Sequence, residues 1–303
     1  MEITTALKKR FVKDHKLPIT IFKEPYFSYF VDTYEDLFKS KTLYNEFVAT
    51  VAKFGGESGF FSESKRIQND IISDIGSSHA YLDFISCDMS GFKTPTLVSE
   101  GNLYNANNHD KLFVSIDLKE ANFNVLKSVD PDIVLNCKDY ADLLGKYTTE
   151  PYFFNSKHVR QIIFGHLNPK RQRRLQKFTI QSKIIPIALD LISSDLTQYK
   201  TASDDEVVIE LDETSYNNLG ITFDELSTVT GVPVNLEKFK IKQLGDKPFF
   251  VKEFEDGTYA FKAVPANYFA ECYKYYLKKP LTECDLCTYI GGRLVNFLEP
   301  LFE

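Results

Sequence analysis

The pattern of apolar and polar positions changes character near residue 110. Before that point, residues 30–53 carry apolar side chains at helical spacing and residues 62–76 read as a second helix, with the turn sequence FGGESG (54–59) between them. Residues 86–110 are rich in Ser, Gly, Asn and Thr and read as loops around short strands. Beyond 110 the signals sharpen. KLFVSIDL (111–118) is an apolar run that ends in an acid, and EVVIEL (206–211) is a second strand. In 233–244 Phe239, Ile241 and Gln243 alternate with Lys238, Lys240 and Lys242, the two-residue period of a half-buried strand. Residues 248–264 read as a hairpin turning at Asp256-Gly257. Helices are expected over 122–128, 155–164, 171–193, 222–229, 268–277 and 294–298. Strands interleaved with helices in this order predict an α+β fold, an antiparallel sheet backed by helices, with a mainly helical N-terminal region. Three consecutive regions follow: a support region at 1–110, a catalytic core at 111–247 with a helical insertion at 151–193, and a hairpin with C-terminal helices at 248–303 that serves as support or as a thumb.

The acids at the strand ends are the first candidates for chemistry. Asp117 closes one apolar strand, and Asp204 and Asp205 directly precede another. Phosphoryl transfer to a hydroxyl uses divalent cations that activate the attacking oxygen and steady the leaving group. Magnesium takes carboxylate and phosphate oxygens as ligands. Two or three carboxylates converging from adjacent strands are enough, and Asp117, Asp204 and Asp205, with Glu206 beside them, are that set if the strands pair. An acid at a strand end also caps helices and faces water, and Asp-Asp is common in turns, so each residue alone has a plain structural alternative.

Together with their surroundings these segments resemble the motifs of nucleic-acid polymerases. VSIDLKEANFNVL (114–126) resembles motif A, with Asp117 as its metal aspartate, and SDDEVVIEL (203–211) resembles motif C of family A DNA polymerases and of reverse transcriptases. SKHVRQIIFGHLNPKRQ (156–172) is similar in part to the family A motif B helix through Arg160 and Phe164-Gly165. GVPVNLEKFKIKQL (231–244) is similar to reverse-transcriptase motif D through Asn235 and Lys238. The resemblance covers residues 112–244. It implies a palm-type sheet, Mg²⁺ or Mn²⁺ on Asp117, Asp204 and Asp205, and Lys238 as the acid that protonates pyrophosphate. Asn122 stands where family A has its sugar-discriminating glutamate, which leaves the choice of ribose or deoxyribose open. The spacing between motifs B and C is shorter than in family A, and no Tyr precedes Asp204-Asp205. A compact polymerase of a virus or mobile element fits this style.

The distribution of charge supports a polyanionic partner. The chain has 303 residues and a formal charge of −6, with 42 acids, yet residues 151–189 contain none. That stretch holds Lys157, Arg160, Lys170, Arg171, Arg173, Arg174, Lys177 and Lys183. Lys157 and Arg160 share a helix face and are expected to hold a nucleoside triphosphate. Lys170, Arg171, Arg173 and Arg174 open the next helix and suit a phosphate backbone, of DNA or RNA. A solvated helix face is the plain alternative, although such faces normally mix both signs. On β-type strand 233–244 the lysines alternatively protect an exposed edge.

Composition narrows the field further. The chain is rich in Phe (26) and Tyr (17), lacks Trp, and has no apolar run of membrane-spanning length, so an intracellular protein without a membrane partner is expected. Five cysteines read as free thiols, and the Cys284/Cys287 pair lacks the second pair or histidine that a zinc site needs. The function that emerges is a metal-dependent nucleotidyltransferase extending a nucleic-acid 3′ end. The alternative is a nucleic-acid-binding or viral structural module that grips through residues 157–183 without chemistry.

Overall fold

The computed structural model describes residues 3–220, 223–297 and 299–302. In chain order the elements are α1 (Thr5–His15), α2 (Tyr26–Thr33), α3 (Glu35–Phe38), α4 (Ser40–Lys53), α5 (Glu57–Ser77), α6 (His79–Ser86), β1 (Leu112–Leu118), α7 (Ala121–Val129), α8 (Tyr140–Gly145), α9 (Pro151–Asn155), α10 (Lys157–His166), α11 (Pro169–Thr179), α12 (Ile185–Leu191), β2 (Tyr199–Ala202), β3 (Glu206–Leu211), α13 (Glu213–Asn217), α14 (Phe223–Thr230), β4 (Val234–Gln243), β5 (Phe250–Phe254), β6 (Tyr259–Lys262), α15 (Phe269–Tyr276), β7 (Cys287–Ile290) and β8 (Arg293–Asn296). The fold is α+β, as the pattern predicts. No helix among the described residues is long and apolar enough to cross a membrane.

The chain divides into two compact units whose segments alternate, unlike the three consecutive regions read from the sequence. The first unit comprises Met1–Ile72, Leu144–Ile163 and Val264–Glu303, and the second Ser73–Leu143 and Phe164–Ala263. Aromatic packing explains why distant segments share the first unit. Tyr152 of α9 packs against Phe47 and Phe60, and Phe269 and Tyr273 of α15 set their rings edge-on to buried Tyr34. A polar knot lies in the same unit. Fully buried Asp14 accepts hydrogen bonds from Arg10 Nε (2.9 Å), Tyr152 Oη (2.6 Å) and Ser156 Oγ (2.6 Å). Such a buried carboxylate is tolerated because an arginine and two hydroxyls satisfy it.

The second unit is built on an antiparallel sheet of six strands among the described residues, in the order β2-β3-β1-β4-β5-β6. Its first four strands follow the β-α-β-β-α-β succession, with β1 between β3 and β4. Central position buries β1 on both faces: Phe113, Val114, Ser115, Ile116 and Leu118 are all buried. On one face Phe113, Val208, Phe239, Ile241 and Phe250 form a core closed by Leu103. Phe113 and Phe239 stack with ring centroids 5.6 Å apart. Burying each such ring stabilises by about 1.5–3 kcal/mol. α13 and α14 lie against the sheet, with Tyr216 and Leu226 buried. Chain 99–101 runs beside the outer strand β2, where Ala202 N donates to Ser99 O (3.2 Å). A Cβ at Gly101 would sit 2.7 Å from Lys200 O, so this approach requires glycine.

The helix expected at 171–193 is interrupted by a π-helical turn, Ile180–Ile184, joining α11 to α12. Pro186 follows it and has no N–H for the carbonyl four residues back, which accounts for the wider turn. Residues 86–110 contain short 3₁₀ turns and, among the described residues, no strand. The expected helix at 294–298 is instead the second strand of a hairpin, β8, with Leu298 outside the described residues. Gly291 and Gly292, both with positive φ, make the turn that pairs it with β7. Of the helix expected at 222–229, Thr222 lies outside the described residues.

Candidate active site

Register brings the two acidic segments together. β1 and β3 pair so that Asp117 stands opposite Glu206, while β1 and β4 pair so that Asp117 also stands opposite Asn235. Asp117 is therefore flanked on both sides within the sheet. The turn linking β2 and β3 lies at the same end, because Leu118 N donates to Asp205 O (2.8 Å). Ser203 shapes that turn: its Oγ accepts from the backbone N–H of Asp205 (3.3 Å) and Glu206 (3.0 Å) and donates to Asp205 Oδ1 (3.0 Å).

The electrostatics of this end are lopsided. Burial and then the negative charges of Asp205, Glu206 and Glu237 push the Asp117 carboxyl up to about 7, with only the Asn235 side chain pulling the other way. Glu237 belongs to the same face by alternation, two residues on from Asn235. A cation at this end of the face is Lys252 of β5, 3% exposed. Its Nζ lies 3.5 Å from Glu206, 3.9 Å from Glu237 and 4.0 Å from the centre of the Phe239 ring. Sequence reasoning missed Lys252 and Glu237. Alternation from Asn235 reveals Glu237; nothing in the chain marks Lys252, since lysines are seldom buried.

Asp204 and Asp205 part company. Asp205 faces Asp117 electrostatically, whereas Asp204 forms a salt bridge with Arg173 Nε (3.0 Å) on α11. Burial pushes the Asp204 carboxyl above its usual range, and the charges of Arg173 and Lys177 oppose this. The basic helix thus runs past the acidic turn. Asn122, in the first turn of α7, accepts from Gln176 Nε2 of that helix (2.6 Å), which fixes its amide beside Asp117's own strand end.

Several expected roles are corrected. Lys238 pairs in register with Val114, so it projects from the opposite face to Asp117, where its Nζ binds Glu255 (2.9 Å) and lies over the Tyr216 ring (4.5 Å). It is a surface tether there, not an acid at the carboxylate end. Arg171 turns inward: its guanidinium donates to Phe84 O (2.7 Å) and Cys87 O (3.0 Å) and covers the Phe84 ring, so it clamps the end of α6 rather than a phosphate. Lys170 and Arg173 are exposed, and Arg174 is partly so. Lys157 and Arg160 belong to the first unit, apart from the acidic segments, and burial and then the charges of Lys16 and Arg160 lower the Lys157 pKa.

Asp117 with Asp205 or Glu206 suits magnesium, which protein sites often bind through one or two carboxylates plus substrate phosphates. Among the described residues, no three His, Cys, Asp or Glu side chains are grouped as a ready-made metal site. At Cys284 and Cys287, burial raises both thiol pKa values. Compared with protein-family models, curated proteins and solved structures, the chain has no match.

Proposed function

We propose that the chain is a metal-dependent nucleotidyltransferase that extends a nucleic-acid 3′ end, with the first four strands of its sheet acting as a polymerase-type palm. The observation that carries this reading is Asp117: a carboxyl at the end of the central strand, pushed to about 7 by burial and by the carboxylates of Asp205, Glu206 and Glu237. Such crowding of negative charge is costly without a cation, and a divalent ion beside a phosphate resolves it.

Asp117 and Asp205 would hold Mg²⁺ or Mn²⁺, with Glu206 assisting; the ion supplies activation of the attacking hydroxyl and charge neutralisation at the phosphate. Arg173 holds Asp204 out of the ligand set and presents positive charge next to the turn. Asn122, oriented by Gln176, is the candidate contact to the sugar. Lys252 keeps Glu206 and Glu237 in place from below.

The test is extension of labelled DNA and RNA primers, templated and single-stranded, with Mg²⁺ or Mn²⁺. Wild type extends at least one substrate and Asp117→Asn does not. Wild type failing on every substrate in both metals would sink the enzymatic reading. A second reading, gripping of nucleic acid without chemistry, draws on the Arg173–Asp204 salt bridge, which occupies one of the three aspartates with a cation of the chain itself. It requires binding that survives Asp117→Asn and is indifferent to divalent ions.

A further inference from the structure

Beside the basic helix lies an open cavity of about 330 Å³, lined by Phe92, Lys93 and Thr94 on one side and by Arg174 and Lys177 of α11 on the other. Arg174 and Lys177 are three residues apart and share a helix face. None of its three cations forms a salt bridge among the described residues, in contrast to Arg173, which is held by Asp204.

The walls of this cavity are braced. The π-helical turn aims buried Gln181 at the neighbouring chain, where its Oε1 accepts from Leu97 N (2.7 Å) and Val98 N (3.2 Å) and its Nε2 donates to Val98 O (2.7 Å). Ser182 Oγ donates to Thr94 Oγ1, and the Phe92 ring meets Phe178 of α11 edge-on at 5.4 Å. Segment 92–98 is therefore pinned to the α11–π turn at three places. The lysine and arginine heads project from a fixed frame rather than from a loose loop.

We propose that this cavity binds the phosphate backbone of a single nucleic-acid strand, with Lys93, Arg174 and Lys177 on the phosphates and Phe92 as a surface for a base. Three points favour it. The charges are separate heads spread over two segments, which suits successive phosphates along a strand. An aromatic ring stands among them. Lys177 both lines the cavity and acts electrostatically on Asp204, so one cation of the cavity is also felt at the acidic turn. The proposal rests on the nucleic-acid part of the function proposed above and not on its chemistry. A free nucleoside triphosphate carries the same phosphate chemistry and is the competing source.

The test uses the full chain without divalent ions, so that binding is read apart from catalysis. A fluorescent single-stranded oligonucleotide is titrated over a salt series against wild type and the triple variant Lys93→Ala/Arg174→Ala/Lys177→Ala, and ATP is titrated calorimetrically in parallel. The triple variant should bind the oligonucleotide at least tenfold more weakly at low salt. The slope of log K against log salt should fall by roughly 2, at about 0.7 per phosphate contact. ATP binding should stay as in wild type. Should the triple variant misfold, the exposed single changes Lys93→Ala and Lys177→Ala each lower the slope by roughly 0.7, while Lys93→Arg and Lys177→Arg keep it. Unchanged oligonucleotide affinity and slope overturn the proposal, and so does a loss confined to ATP.

Discussion

Glu206 and Glu210 sit four residues apart on the same face of the same strand, yet the two ends of β3 treat their acids in opposite ways. At the Glu210 end, Lys200 and Lys111 reach the carboxylate at 2.9 and 3.1 Å, and across β1 Lys240 holds Asp110 at 3.1 Å. Burial raises the Glu210 pKa, and the two lysines outweigh it, so the group ends below its usual range. At the Glu206 end, Glu206 and Glu237 share Lys252, and burial with the charges of Asp205, Glu206 and Glu237 pushes the Asp117 carboxyl up to about 7. Acids placed for stability come with their counter-charges. The acids at the Glu206 end are left short of them, and under the function proposed above that shortfall is the binding energy a cation would claim.

The contrast is broken most severely by neutralising one acid at each end. Asp117→Asn should lower primer extension about a thousandfold or more, a loss of several kcal/mol at roughly 1.4 kcal/mol per tenfold, whereas Glu210→Gln should stay within about twofold. Equal losses in the two variants would show that the ends are not functionally distinct. Next, Lys252→Met removes the cation under the crowded end. In denaturant titrations at pH 8 without divalent ions it should cost about 2 kcal/mol, less than a fully buried pair because Glu206 and Glu237 are partly open to water, and Mg²⁺ should restore part of it. No loss at all would mean that Lys252 carries no compensating charge.

Titration gives a smaller effect with a definite sign. The folded-state pKa of Asp117, about 7, lies above the roughly 3.9 of an unfolded chain, so the folded protein binds the extra proton between those values. Its contribution therefore becomes increasingly unfavourable as pH rises from about 4 to about 7. Asp117→Asn should melt a few degrees above wild type at pH 8, by about 2–4 °C per kcal/mol, with the difference gone at pH 4. Mg²⁺ should raise the wild-type melting point at pH 8 and leave the variant unmoved. A pH-independent difference would refute the raised pKa. Glu210→Gln runs the other way and is the smallest effect. With the native pKa depressed, its stabilisation is present above the unfolded value and is lost as pH falls, so the variant should be about 1 kcal/mol or less below wild type at pH 7 and equal to it in strong acid.

Much of the sheet was readable in the chain. The apolar runs 111–118 and 206–211 and the alternation at Phe239 and Ile241 locate β1, β3 and β4 because central and half-buried strands impose those patterns. That alternation also puts Lys238 on the face away from Asn235, a signal available without any coordinates. Three things were not readable. Asp204 and Asp205 are chemically identical neighbours, and only the Ser203 turn sends one to Arg173 and the other towards Asp117. The inward course of Arg171 depends on carbonyls at Phe84 and Cys87, which local pattern does not reveal. The run at 294–298 predicts a helix where β8 stands, because Leu and Val suit either state over so short a run, although the preceding glycine pair suits a hairpin.

The alternating segments of the two units also govern the order of events during synthesis. The segments of the sheet-bearing unit end at Ala263, so all of them have been translated before residues 264–303 are added. The helical unit opens before the sheet and closes after it, since Phe269 and Tyr273 reach Tyr34 only once residues 264–303 have emerged. Until then the rings that pack Tyr34 are those of its near neighbours Phe30 and Phe38, so part of the aromatic core of the helical unit waits on residues made after the whole sheet.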